Sequence, residues 1–154
     1  MTSDAPVSVK ADQARLDDKE GTATYEGNVQ VRQAEARLEA DKVVLFRDAE
    51  GLSRIEAYGQ PAHYNAPATP DMPATDAQAK TIIYSRSDNQ LTFKQEAVIR
   101  QGEDMFRGDI IHYDTENRVV TASGGDKGRV EMVIQPRTGK ADDGTKQNAE
   151  TPSQ

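Results

Sequence analysis

The chain has 154 residues, a net charge of −7, no cysteine and only 5% aromatic residues. This length fits one domain, the missing cysteines exclude disulfide scaffolds and thiolate zinc sites, and the acidic balance argues against nucleic acid as a partner. No segment approaches the ~20 apolar residues of a membrane span.

The N-terminal lead, residues 1–6, is predicted to be disordered and carries no signal-peptide pattern. Both a cytosolic protein and a mature secreted form fit this lead. Val7 and Val9 then begin an alternation of apolar and polar residues that predicts an edge strand.

The clearest strand pattern runs from Thr22 to Val31, where small and apolar residues alternate with polar ones. Such a strand has one buried and one solvated face, so the pattern predicts two packed antiparallel sheets. Gly27 interrupts it where a bend or a close backbone approach is expected.

Residues 33–39 also alternate, and we predict a strand there, although the same residues would form a fair helix. The strand is favoured because the matching stretch 68 residues later contains Gly102 and Gly108, and glycine is unfavourable inside a helix.

A strand-turn-strand unit recurs through the chain, with copies that start at Ala11, Ala40, Ala79 and Gly108. The first two copies map onto the last two at a constant offset of 68 residues. Repeats of this period usually stack to bury a face that no single unit could bury.

Polar turn residues separate the strands of each copy, at 17–21, 48–51, 87–89 and 115–117. A proline-rich insertion at 66–73 separates the second copy from the third, and residues 136–154 are predicted to be a disordered tail. The folded domain is therefore predicted to span residues 7–135.

Residues with catalytic or metal-binding potential form no recognisable motif. His112 is predicted to be solvated on the outer face, and His63 is predicted to face inward. The repeated Asp12, Asp41 and Asp109 suggest a structural task at strand starts, and the turn aspartates cap backbone groups. We predict no catalytic residue, no metal site and no cofactor, and hence a protein that is not an enzyme.

The apolar face allows two interpretations. One is a closed core, as in a structural β-repeat scaffold with no ligand. The other is a groove, because aromatic residues are few and neither end of the repeat array has a polar cap.

Six stretches resemble a known family: Val7–Val9 with Ala11-Asp12, Tyr25–Val31, Ala40–Val43, Ala57–Ala62, Arg107–Tyr113 and Asp126–Val130. In order and spacing they are similar to the OstA family, and the resemblance covers about residues 7–135. One departure is Gln95-Glu96, where the family pattern has a Gly-Asn pair.

The resemblance implies an open, twisted antiparallel β-jellyroll with two facing sheets, located in the periplasm of Gram-negative bacteria. It implies a lipopolysaccharide (LPS) carrier that bridges the inner and outer membranes and holds lipid A acyl chains in an apolar groove. The groove is predicted to consist of Val7, Val9, Leu16, Val29, Val31, Leu38, Val43, Leu45, Ile55, Ile82, Tyr84, Leu91, Phe93, Ile99, Phe106, Ile111, Tyr113, Val120 and Met132.

The resemblance also implies head-to-tail self-association of like domains. An LptC-like inner-membrane partner would meet the N-terminal edge at Val7 and Val9, and an LptD-like outer-membrane translocon would meet the C-terminal edge. That second edge is predicted to consist of Val130, Met132 and Ile134.

Overall fold

The alternating segments form ten antiparallel strands in the computed structural model, which describes residues 5–70, 73–125 and 128–136. The strands are β1 (Val7–Lys10), β2 (Gln13–Asp17), β3 (Thr22–Gln33), β4 (Ala36–Asp48), β5 (Gly51–Ala66), β6 (Thr75–Ser85), β7 (Gln90–Gln101), β8 (Asp104–Asp114), β9 (Val119–Ser123) and β10 (Glu131–Val133). These described residues contain no helix, so the all-β prediction is confirmed.

The strands form one open sheet in the order β1-β3-β4-β5-β6-β7-β8-β10. β2 pairs with β3 beyond the end of β1, and β9 pairs with β8 beyond the end of β10. The four predicted repeats correspond to the hairpins β2–β3, β4–β5, β6–β7 and β8–β9. Both ends of the described sheet therefore present strands with one unpaired side.

Each long strand bends near its middle. The five ladders from β3–β4 to β7–β8 each contain a register shift, beginning with the one between Glu26 and Val29 and ending with the one between Lys94 and Ala97. β-bulges bend the strand that carries them, so this row of shifts divides the sheet into two halves. The first half-sheet comprises residues 29–33, 36–40, 62–66, 75–79, 97–101 and 104–108 with β1 and β10. The second half-sheet comprises residues 22–26, 42–48, 51–58, 81–85, 90–94 and 110–114 with β2 and β9.

The two half-sheets face one another. Tyr64 of the first and Tyr113 of the second line the same cleft, described below. Side chains of both halves also enclose a shared internal void, described below. The structure thus confirms the predicted open jellyroll with two facing sheets.

The bend in β3 is built around Gly27, as the sequence predicts. Gly27 has a φ of +86° and Asn28 a φ of 48°, both in the left-handed region. Asp12 packs over this bend: its N–H donates to the carbonyl oxygen of Gly27 at 2.9 Å, and its carboxylate accepts from Nδ2 of Asn28 at 3.0 Å. The repeat-related Gln95 and Glu96 also have positive φ values, 69° and 56°, so the second bend forms without glycine.

Replacement of Gly27 by alanine is expected to cost about 1–3 kcal/mol of unfolding free energy, because it combines left-handed strain with a steric clash. A Cβ at this position would lie 2.5 Å from Oδ2 and 2.9 Å from Cβ of Asp12. Urea unfolding followed by circular dichroism measures the loss. Gly102→Ala is the matched control, because Gly102 has φ +61° but its nearest neighbouring atom, Cβ of Pro73, would lie 3.6 Å away. Equal losses in the two variants would contradict the role of Asp12.

Beside the bends, the inward-facing side chains of the first half-sheet are small and most of those of the second are large. The first half-sheet places small buried residues there, which are Ala40, Ala62, Ala79, Ala97 and Gly108. The second half-sheet places Val43, Ile82, Phe93 and Ile111 beside the same bends, all at most 2% exposed. The alanines and these larger side chains are buried in one core cluster, so the shortage of bulky residues does not hold the sheets apart at this depth.

Two local predictions were wrong. Residues 33–39 form neither one strand nor a helix, because Ala34 and Glu35 make a turn and Gln33 pairs with Ala36 across it. His63 faces outward between buried Ala62 and Tyr64, and its Nε2 lies 2.6 Å from Oδ1 of Asp76.

The predicted turns are confirmed. The proline-rich insertion links β5 and β6 as predicted, and its residues 71–72 lie outside the described chain. Asp48 caps its turn by accepting from the N–H of Glu50 at 2.8 Å. That bond, together with the Arg86 guanidinium, holds the pKa of Asp48 below its usual range.

His112 lies on the outer face, as predicted, and its Nδ1 is 3.0 Å from Oγ1 of Thr92. Residues 1–4 and 137–154, for which disorder was predicted, lie outside the described residues.

Candidate binding groove

An open cleft of about 810 Å³ lies between the free rims of the two half-sheets. One rim is formed by the β3–β4 turn and by the described part of the 66–73 loop, and the other by the β8–β9 turn. Tyr64, Leu91 and Tyr113 line the cleft from below, and all three are less than 10% exposed. The cleft is thus a lateral opening above the apolar interior.

A second, much smaller void of about 10 Å³ lies between the half-sheets. It is lined by Leu38, Ile55, Tyr64, Ile82, Tyr84 and Leu91. Tyr64 and Leu91 border both spaces, so two side chains separate the cleft from the internal void. A void of this size has room for about one water-sized probe, so the interior beneath the cleft is packed.

The register places all the predicted groove residues on the inner face of the sheet, but at different depths. The fully buried ones are Val29, Val31, Leu38, Val43, Ile55, Ile82, Tyr84, Leu91, Phe93, Ile99, Phe106, Ile111 and Tyr113. Those partly buried against this core are Val7, Val9, Leu45 and Val120. Leu16 and Met132 are exposed, at 66% and 44%, because they lie on the outermost strands.

The sequence prediction missed several residues of the cleft. Tyr64 was missed because the register shift between Tyr58 and Ala62 reverses which residues face inward, and this also misplaced His63. Burial and the neighbouring Tyr113 raise the pKa of Tyr64 to about 12. Gln33 and Thr75, each 6% exposed, are inward-facing polar residues that an apolar pattern cannot identify.

The residues predicted at the C-terminal edge are exposed on or beside β10. Val130 is 38% exposed, Met132 44% and Ile134 64%. At the other edge, Val7 and Val9 of β1 pair with Gln33 and Val31 of β3 and have one free side. Within the described residues, both edges therefore combine apolar side chains with a strand that is paired on one side only.

The described residues contain no cluster of three or more His, Asp or Glu side chains that could hold a metal ion. They also include no helix of the length and apolarity that crossing a membrane requires.

These features define a class of protein: an open β-jellyroll with an apolar interior that is reached from one side. A sequence profile for the family described as "LptA/(LptD N-terminal domain) LPS transport protein" matches residues 8–119. The chain belongs to this family.

Known relatives agree with that assignment. The lipopolysaccharide export system protein LptH of Pseudomonas aeruginosa is 35% identical over 140 residues, which cover 86% of this chain and 80% of LptH. The corresponding LptA of Escherichia coli is 30% identical over 137 residues, covering 87% of this chain and 73% of that protein. LptA of Haemophilus influenzae is 28% identical over 134 residues, covering 85% and 77%.

The fold is also similar to a solved structure of the family. The crystal structure of LptH, described as the LptA homologous periplasmic component of the lipopolysaccharide transport device of Pseudomonas aeruginosa, matches with a TM-score of 0.77. The match has 36% sequence identity and covers 86% of this chain and 96% of that one.

Proposed function

We propose that this protein is a non-catalytic carrier of LPS that forms part of a bridge between the inner and outer membranes across the periplasm. The observation that carries the proposal is the lateral cleft of about 810 Å³, which opens onto an apolar interior in a domain of the LPS transport family. The ligand's acyl chains occupy the cleft, and its sugars stay outside.

The interior supplies affinity through shape and burial rather than through charge. Each buried CH₂ of an acyl chain contributes about 0.8 kcal/mol. The inner face is mostly apolar, since predicted groove residues are partly or fully buried on eight of the ten strands. The exceptions are Leu16 of β2 and Met132 of β10, which are exposed. Several acyl chains can therefore be held without a specific ionic contact.

Deeper seating of acyl chains requires the half-sheets to move apart, because the interior beneath Tyr64 and Leu91 is packed. The half-sheets would move about the bends, because each bend replaces regular ladder pairing by a bulge. We infer that the cleft binds the acyl chains first and that the packed floor then yields to them.

The two free edges are the proposed sites of assembly. β1, with Val7 and Val9, would accept an LptC-like partner, and β10, with Met132 and flanked by Ile134, would accept an LptD-like translocon. Edge strands with apolar side chains readily add another strand. The same pairing between copies would give head-to-tail association, with the protein located in the periplasm.

A charge placed in the cleft is expected to reduce LPS binding by more than tenfold. Ala66 lines the cleft at the end of β5 and is only partly buried, so aspartate should be tolerated by the fold. Its carboxylate would lose hydration against acyl chains, which is costly for a charge. Native mass spectrometry of protein with purified LPS at micromolar concentration measures the bound fraction.

Asn65→Asp is the matched control, because it adds the same charge one residue away on the exposed outer face of β5. It should bind LPS as the wild type does. If the wild type binds no LPS, the protein is the alternative, a structural β-repeat scaffold with a closed core. If both variants lose binding equally, the charge acts at long range and the cleft is not the site.

A further inference from the structure

Tyrosine hydroxyls aside, the inner face of the first half-sheet is polar along a single row, at its rim. Gln33, Thr75 and Gln101 lie on this row, in the register series Gln33↔Ala36 and Ala66↔Thr75↔Gln101. Gln33 and Thr75 are each 6% exposed, and apart from the tyrosines they are the two polar side chains among the buried residues of the described chain. Both line the cleft.

The row is linked by hydrogen bonds. Nε2 of Gln101 donates to Oγ1 of Thr75 at 3.4 Å, and that hydroxyl donates to the carbonyl oxygen of Pro73 at 3.3 Å. Nε2 of Gln33 donates to the carbonyl oxygen of Ala5 at 2.9 Å. A hydroxyl has one donor and two acceptor positions, so Thr75 retains acceptor capacity towards a group in the cleft.

The rest of the inner face differs sharply from this row. The next row inward on the same half-sheet consists of Val9, Val31, Leu38, Tyr64, Ala77, Ile99, Phe106 and Met132. The row beside the bends carries only valine, alanine and glycine. A ligand in the cleft therefore meets Gln33 and Thr75 at one depth and, below them, side chains that are apolar except for the hydroxyls of Tyr64 and Tyr113.

We propose that Gln33, Thr75 and Gln101 form a polar shelf. Gln33 and Thr75, which line the cleft, hydrogen-bond the hydroxyl, amide or ester groups at the head of an acyl chain, and Gln101 holds the Thr75 hydroxyl in place. The shelf fixes how deeply the chain sits and favours acyl chains with a hydroxyl near the head over plain ones. Since buried polar groups that lose their partners are costly, a chain without such groups binds less well. This inference rests on the proposed function, because it assumes that acyl chains occupy the cleft.

The test compares two probes, tetradecanoic acid and its β-hydroxy derivative, which compete with an environment-sensitive fluorescent fatty acid for the full-length protein. The wild type should bind the hydroxy acid about three- to tenfold more tightly, the range expected for one hydrogen bond. Thr75→Val, which removes the hydroxyl at nearly constant volume, should abolish this ratio and leave the affinity for tetradecanoic acid within twofold. Thr75→Ser should restore the preference.

Thr92→Val is the matched control, because Thr92 makes its hydrogen bond to His112 on the outer face, and the variant should keep the wild-type ratio. If Thr75→Val melts at a much lower temperature than the wild type, Gln101→Leu serves as a second shelf variant on a separate strand. It should also lower the ratio of the two affinities. A wild-type ratio near one, with both acids and LPS bound, overturns the shelf and leaves the carrier function intact. Failure of LPS and both acids to bind overturns both.

Discussion

Phe93→Ala is expected to lower the free energy of unfolding by about 3–5 kcal/mol, the range for deleting a large buried aromatic side chain. Phe93 is 0% exposed and lies beside the bend of β7, where it pairs with Ile82 and Ile111 on the adjacent strands. The alanines buried beside the same bends are too small to fill the space, so a cavity would remain. Chemical denaturation monitored by circular dichroism measures the change.

Lys94→Ala is the control for this prediction, since Lys94 is the next residue of β7 and is exposed. Its effect should stay within about 0.5 kcal/mol, as for most surface substitutions. A loss below about 1 kcal/mol for Phe93→Ala would show that the half-sheets are not packed together at this depth, which would contradict the closed interior.

Charging one end of the sheet is expected to abolish self-association. Wild-type protein should increase in average mass with concentration, because a head-to-tail contact uses two different edges and leaves both available on the growing chain. Ile134→Asp, at a side chain that is 64% exposed, blocks the C-terminal edge, and Val9→Asp blocks the N-terminal edge. Each variant alone should remain monomeric in light scattering at concentrations where the wild type associates.

An equimolar mixture of these two variants should form dimers and nothing larger, because each contributes the one edge that the other has lost. Asn65→Asp, on the outer face far from both edges in strand order, should associate as the wild type does. Growth of either single variant beyond a monomer would show that these edges do not carry assembly. A mixture that stays monomeric would exclude the head-to-tail arrangement.

The strands and the repeat were predictable because their signal is local. Alternation in residues 22–31 reports which side chains share a face without reference to the rest of the chain, and Gly27 marks its bend. The turn at Ala34-Glu35 was not predictable in the same way, since alanine at a φ of 53° has none of the usual turn chemistry. His63 was misplaced because one register shift reverses every assignment beyond it.

The sequence by itself determined the all-β class, the four hairpins, the apolar inner face and the family, because each depends on residue order and period. Only the tertiary structure decided which part of that face is closed and which is open. The closed part depends on the register shifts in five ladders and on the small alanines that are buried with Phe93 and Ile82 in one core cluster. Periodicity specifies a face, but packing across the bends sets the position of the cleft and places Gln33 and Thr75 at its rim.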